Sequence, residues 1–162
     1  MRWIKHLILD DYAVRRDFPR ATLQGIERAI AAQEKRHRGE LRFVVEGGLP
    51  LRRLLAGRTA RQRAIEVFSR LRVWDTEDNA GVLVYLLLAD RRVEIVADRG
   101  IDARVGSAAW DVICREMQSA FGDGRFEAGA ILGIEAISDL LARHFPPGDE
   151  NPNELPDKPE VL

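Results

Sequence analysis

Residues 81–88, Gly-Val-Leu-Val-Tyr-Leu-Leu-Leu, form an almost unbroken apolar run. A polar turn, Ala89-Asp90-Arg91-Arg92, follows it, and residues 93–97 make a second, mostly apolar segment. Two such segments joined by a short polar turn predict a β-hairpin. A strand with apolar side chains on both faces has to be covered on both, so the hairpin is expected in the middle of a sheet with helices on either side. Closing the turn on Asp90-Arg91 sets Leu88 opposite Val93, Leu83 opposite Asp98 and Gly81 opposite Gly100. That register brings the loop before the first strand, with Asp75, Glu77, Asp78 and Asn79, to the same end of the sheet as Asp98 and Asp102. Hard oxygen ligands gathered on loops suit Ca²⁺ or Mg²⁺ far better than zinc or iron.

The flanking sequence supplies the helices. From Phe18-Pro19 a helix begins whose inner face is Leu23, Ile26, Ile30 and Gln33, and His37-Arg38-Gly39 ends it. Glu40–Glu46 reads as the first strand; its mixture of alternation and continuous apolar character leaves a central and an edge position both open. Residues 49–57 read as a short helical turn or loop. Thr59-x-x-Gln62 is a capping box opening a helix with Ala64, Val67, Phe68 and Leu71 inward. After Asp102 one apolar helix face runs through Val105, Ala108, Ala109, Val112, Ile113, Met117 and Ala120, stopped by Gly122-Asp123-Gly124. The last helix spans about 126–144, with Ala130, Ile131, Ile134, Ile137 and Leu141 as its buried stripe. At the N-terminus, Trp3, Ile4, Leu7 and Ile8 fall on one face of a short satellite helix expected to end near Asp10-Asp11, with a loop completing residues 1–17. The resulting order predicts an α/β fold, a three-layer α/β/α sandwich with a mixed central sheet.

Residues 1–145 are thus expected to form one domain, and 162 residues suffice to bury about 68–70% of the unfolded surface. Five of the seven prolines lie within residues 146–159, a spacing that no helix or buried strand tolerates. Leu155, Val161 and Leu162 nevertheless offer anchors for an extended strap, which competes with a free tail. Lys and Arg total 25 against 26 Asp and Glu, which gives no reason to expect nucleic acid as a partner. Cys114 stands alone, so neither a disulfide nor a thiolate metal site is expected. No stretch is long and apolar enough for a membrane span or a signal segment, and the chain reads as cytoplasmic.

The wider pattern resembles the TPM domain family, named for a thylakoid lumen protein, a photosystem II repair protein and a receptor modulator. The residues carrying the resemblance are Trp74-Asp75-Thr76, Asn79-x-Gly81-Val82-Leu83, the turn Asp90-Arg91, residues 95–101, and Phe126-Glu127-x-Gly129. Asn153-Glu154-Leu155-Pro156-Asp157 looks like an ending shared by a bacterial subgroup of such chains. The resemblance implies a compact α/β/α sandwich binding a divalent metal at an acidic cluster, and in some relatives acid phosphatase activity. The family's polar-Asn-Gly run appears here as Asn79-Ala80-Gly81, with one residue inserted.

Leading candidate ligands for Ca²⁺ or Mg²⁺ are Asp75, Asn79 and Asp98, joined by Glu127 from the first turn of the last helix. Glu77, Asp78 and Asp102 rank behind them. Each has a plainer reading: surface carboxylates hold water, and an acid at a helix start offsets the dipole. Arg99 is placed either on a substrate phosphate or in a salt bridge to one of these acids. Expected partners are a small phosphorylated substrate or a protein. The function expected is that of a divalent-metal-binding domain of TPM type, for which the resemblance implies metal-dependent phosphomonoester hydrolase activity, with a non-enzymatic metal- or protein-binding module as the alternative. His6, His37 and His144 are scattered and read as surface or helix-end residues, Cys114 as a packing thiol, and Ser107 as a helix cap.

Overall fold

The computed structural model describes His6 and residues 11–162; the reading of Trp3, Ile4, Leu7 and Ile8 as a helix face lies outside the described residues. In chain order the elements are α1 (Asp11–Asp17), α2 (Arg20–Gln33), β1 (Glu40–Glu46), α3 (Leu51–Leu55), α4 (Ala60–Arg70), β2 (Gly81–Leu87), β3 (Arg92–Ala97), α5 (Arg99–Val105), α6 (Ser107–Gly122), α7 (Phe126–His144) and β4 (Glu160–Val161). A 3₁₀ turn, Glu34–Arg36, follows α2. The sheet is mixed, in the order β3-β2-β1-β4: β2 runs parallel to β1 and antiparallel to β3, and β4 joins β1 in parallel.

Every residue of β1 and of β2 is buried, and the two-residue period of a strand divides them between two cores. Leu41, Phe43, Val45, Val82, Val84 and Leu86 pack with Ile26, Ile30, Met117, Ile134 and Ile137 of α2, α6 and α7 on one face. Val44, Leu83, Tyr85 and Leu87 pack with Leu54, Ala64 and Val67 of α3 and α4 on the other, together with Leu155 from the C-terminal segment. The three-layer α/β/α sandwich is therefore the observed architecture.

Only one strand of the hairpin is central. β2 lies inside the sheet, but β3 is an edge, with Arg92 exposed and Glu94 and Ala97 half-buried. The register also differs from the simplest closure: Leu86 pairs with Val93, Leu83 with Val96 and Val82 with Ala97. The hairpin closes through a four-residue turn, Arg91 N–H donating to Leu88 O at 3.0 Å with Arg91 in the left-handed region at φ 51°. The slip is two residues, so each side chain keeps its face.

The capping box forms as expected: Gln62 N–H donates to Thr59 Oγ1 (3.2 Å) and Thr59 N–H to Gln62 Oε1 (3.1 Å). Two helices were not foreseen: α1 occupies residues expected as a loop, and α5 is the other. α5 begins directly after Asp98 and ends at Gly106, whose φ of 82° breaks it from α6. Ser107 is therefore the first residue of α6 and makes no capping bond; Gly106 holds the cap position.

Candidate functional site

β2 starts where the loop from α4 crosses the sheet end, and Gly81 is required there because a Cβ would collide with the Val73 carbonyl. The preceding loop is a chain of tight turns: Asp75 N–H donates to Arg72 O (2.9 Å), Asn79 N–H to Thr76 O (3.2 Å) and Ala80 N–H to Thr76 Oγ1 (3.1 Å). Arg72 and Asn79 both take left-handed φ values, 54° and 52°, and Asn tolerates this better than most residues. The loop then meets the start of α5. Asp98 N–H donates to Gly81 O (2.8 Å) and Gly100 N–H to Asn79 O (3.0 Å). A Cβ at Gly100 would lie 2.5 Å from Asn79 O and 2.6 Å from Asp78 O. Glycine thus lets two loop carbonyls close on the helix start.

Asp98 is the pivot of this corner. Its Oδ1 accepts the N–H of Arg99 at 2.8 Å as the α5 cap. Its Oδ2 is buried, and no hydrogen bond reaches it. A buried carboxylate oxygen without a partner costs more than an exposed one, and no group among the described residues compensates this one.

Of the other expected ligands, Asn79, Asp78 and Asp98 come together through the backbone contacts just given. Asp75 faces solvent and pairs with Arg72 at 2.7 Å. Asp78 pairs with Arg38 at 3.4 Å. The Glu77 side chain is exposed, while its N–H donates to the Glu154 carboxylate (3.1 Å). Asp102 accepts Trp110 Nε1–H at 3.0 Å. Glu127 does not join them: it sits in the first turn of α7, taking a bond from Thr22 Oγ1 (3.3 Å) and packing on Gly25. Leu141, near the far end of that helix, is the residue that reaches Gly39 beside Ala80, roughly 20 Å along the axis from Glu127 at the α-helical rise. Among the described residues no three His, Cys, Asp or Glu side chains are grouped closely enough to hold a metal between them. Arg99 is exposed, and among the described residues its guanidinium forms no salt bridge to these acids.

Two histidines are core residues rather than surface ones. His6 Nδ1 accepts Leu49 N–H (2.9 Å), which leaves Nε2–H to meet Asp90 at 2.9 Å. His37 is fully buried with Nδ1 3.0 Å from Gly39 O, and burial pulls its pKa down to about 4. His144 closes α7, as its position suggests. Cys114 is half-buried, and burial pushes its thiol up to about 11, which suits packing rather than nucleophilic attack.

A second acidic group escaped sequence reasoning. Glu40 accepts the N–H groups of Glu154 (3.2 Å) and Leu155 (3.1 Å), and Glu34 accepts Leu41 N–H (2.9 Å). Burial pushes Glu34 up to about 9, with Glu40 adding repulsion, and burial raises Glu40 to about 7. Beside them the Arg42 guanidinium donates to the carbonyls of Pro156 and Lys158 and to Glu160 (3.1 Å). These side chains hold residues 154–160 along the sheet. The signal in the sequence was Glu40-x-Arg42, two charges that share a face of β1 with Glu46 while the rest of the strand is apolar.

The fold and this oxygen-rich corner define a small α/β/α domain with a polar site at one end of a mixed sheet. Residues 17–140 match the TPM domain, and the chain belongs to that family. Among solved structures it is similar to the BA42 protein of the psychrophilic bacterium Bizionia argentinensis, at 30% identity and a TM-score of 0.77, covering 88% of this chain and 93% of that one. It also shares its fold with the N-terminal domain of a protein from P. gingivalis, at 19% identity and a TM-score of 0.61, covering 80% and 81%. No protein of curated function matches it. No helix among the described residues is long and apolar enough to cross a membrane.

Proposed function

We propose that this chain is a divalent-cation-binding TPM domain that hydrolyses phosphomonoesters at the Asp98 end of its sheet. The observation that carries the reading is the buried Oδ2 of Asp98, without a hydrogen-bond partner among the described residues, two positions before Gly100, on which the carbonyls of Asp78 and Asn79 close. A donor set made only of oxygens fits Ca²⁺ or Mg²⁺. Asp98, Asn79 and Asp78 would hold the ion, with water completing its shell and Asp75 reaching it only by leaving Arg72. So few charged ligands place the affinity near the weak end for Ca²⁺, about 0.1–1 mM. When bound, the ion would supply Lewis-acid polarisation of a phosphoryl oxygen. The exposed Arg99 guanidinium, one residue on from Asp98 and free of competing acids among the described residues, is suited to grip the phosphate of the substrate.

One observation favours a binding module without hydrolysis. Asp75, Asp78 and Asp102 are each occupied by Arg72, Arg38 and Trp110, so among the described residues of this corner the carboxylate left to serve as a general base is the solvent-exposed one of Glu77. A single experiment separates the two. Chelator-treated protein and Asp98→Asn are titrated calorimetrically with CaCl₂ and MgCl₂ and then assayed on p-nitrophenyl phosphate with and without the ion. Wild type is expected to give saturable heat and ion-dependent hydrolysis, both lost in Asp98→Asn. Heat without hydrolysis establishes the binding module; no heat at millimolar ion overturns the site itself.

A further inference from the structure

The carboxyl ends of β1 and β2 lie at the opposite end of the sheet from Asp98, and there the described residues enclose a cavity of about 290 Å³. This is the end at which ligands settle in sheets with parallel neighbours. The volume is at the small end of the ~300–1,000 Å³ range of ligand pockets. Leu86 and Leu88 of the hairpin give it an aliphatic wall. Phe121 and Phe126, stacked with centroids 5.8 Å apart, give it an aromatic one. Gly122 and Gly124 stand at its edge, and a Cβ on either would meet nothing within 4 Å, so the mouth is open.

Four polar residues face this apolar space, Arg16, Asp17, Arg91 and Gln118, and among these their charges do not cancel. Arg16 is held by Asp17 through two bonds of 2.6 and 2.9 Å, so that pair contributes no net charge. Arg91 is different: its guanidinium makes no ion pair or hydrogen bond among the described residues. Its neighbour Asp90 is turned instead to the buried His6 ring. Gln118 accepts Val93 N–H with its oxygen at 2.9 Å, which leaves its NH₂ as a second donor. The cavity thus combines apolar walls with one positive charge, that of Arg91, which no acid among the described residues pairs.

We propose that this cavity binds a small amphipathic monoanion: an aryl or alkyl carboxylate whose apolar body lies against Phe121 and Phe126 and whose carboxylate pairs with Arg91. A single net charge favours a carboxylate over a doubly ionised phosphate. The apolar walls favour a ligand with a hydrocarbon body over a bare anion. The site lies at the other end of the sheet from Asp98, so it stands or falls independently of the cation site.

The test is a titration of the full chain with sodium 3-phenylpropionate, followed by backbone amide NMR, with 3-phenylpropanamide and sodium acetate as controls. Saturable shifts are expected at residues 86–91 and 118–126, at least roughly tenfold tighter for the acid than for the amide, and none at these positions with acetate. Arg91→Gln, which keeps a non-glycine residue at the same positive φ, is expected to weaken binding by about tenfold, as loss of a charge-assisted pair does. Arg91→Lys should restore part of it. Gly122→Trp, placed in open space at the mouth, is expected to reduce binding with the rest of the spectrum unchanged. The proposal is overturned by no saturable binding, by shifts confined to other regions, by equal affinity for acid and amide, or by an Arg91→Gln protein that binds as wild type does.

Discussion

The two edges of the sheet are closed by different means. At β3, isolated side chains on neighbouring helices do it: Gln118 of α6 accepts Val93 N–H, and Arg61 of α4 donates to Ile95 O. At β1, the chain's own C-terminal segment does it, with β4 pairing Val44 and Val45, Leu155 entering the core and Glu40 and Arg42 gripping the strap backbone. An edge strand left open is a template for pairing with another chain. The first closure is a set of local bonds, each dispensable by itself. The second is one cooperative unit whose removal exposes apolar surface and strands two buried charges together.

That contrast sets the size of three expected effects. Deleting residues 146–162 is the largest: it uncovers Leu155's site and removes the strap groups that Glu40 and Arg42 bond, a loss of about 3–5 kcal/mol from one buried leucine and several hydrogen bonds to charged groups. Chemical denaturation measures it, and a change below about 1 kcal/mol would place the two edges on an equal footing. Next comes the pH response of the strap side. Glu34 is raised from 4.5 to about 9 and Glu40 to about 7. The folded state therefore holds more protons than the unfolded one across that window, and stability contributed by these groups is present below pH 4.5 and falls as pH rises towards 9. Glu34→Gln is expected to flatten this decline in melts taken from pH 5 to 9, while the wild type keeps it. His37 pulls the other way: with its pKa lowered to about 4, its share of stability is lost as pH falls from 6.5 towards 4. The smallest effect belongs to β3. Gln118→Ala removes one partner from Val93 N–H and should cost about 1 kcal/mol by thermal denaturation, since the orphaned group sits at an edge that water can reach.

What the sequence made legible follows from these same residues. The apolar run of β2 and the inner stripes of α2, α4 and α7 are periodic and strong, so the sandwich could be read directly; the α6 stripe was right at Ile113, Met117 and Ala120, but Ala108 and Val112 face solvent and Trp110 takes the buried position instead. Asn79 and Asp98 were brought together correctly because they flank adjacent strands, and a two-residue register slip moves neither to the other end. Glu127 was misplaced because its motif says which helix it starts but not which end of the sheet that helix starts from. β1 stayed ambiguous for a physical reason: Glu40, Arg42, Val44 and Glu46 share one face, and polar residues there normally mark solvent. Instead that face is covered by polar partners far away in sequence. Glu40 and Arg42 take the strap, while Glu46 takes both Arg63 (2.8 and 3.0 Å) and Tyr85 (2.6 Å). Partners of that kind leave no local periodicity to read. α5 was missed because seven residues ending at a glycine give too short a stripe.

Lys158, which bonds Arg42, follows it by 116 residues. At about 5–20 residues per second, a ribosome takes on the order of ten seconds to make that stretch. For all of that time the nascent β1 has no native partner on its outer side, and its buried arginine and glutamate must be hydrated. A permuted gene that placed the strap just ahead of β1 would remove the wait, and the newly made chain should then depend less on chaperones that shield exposed strands.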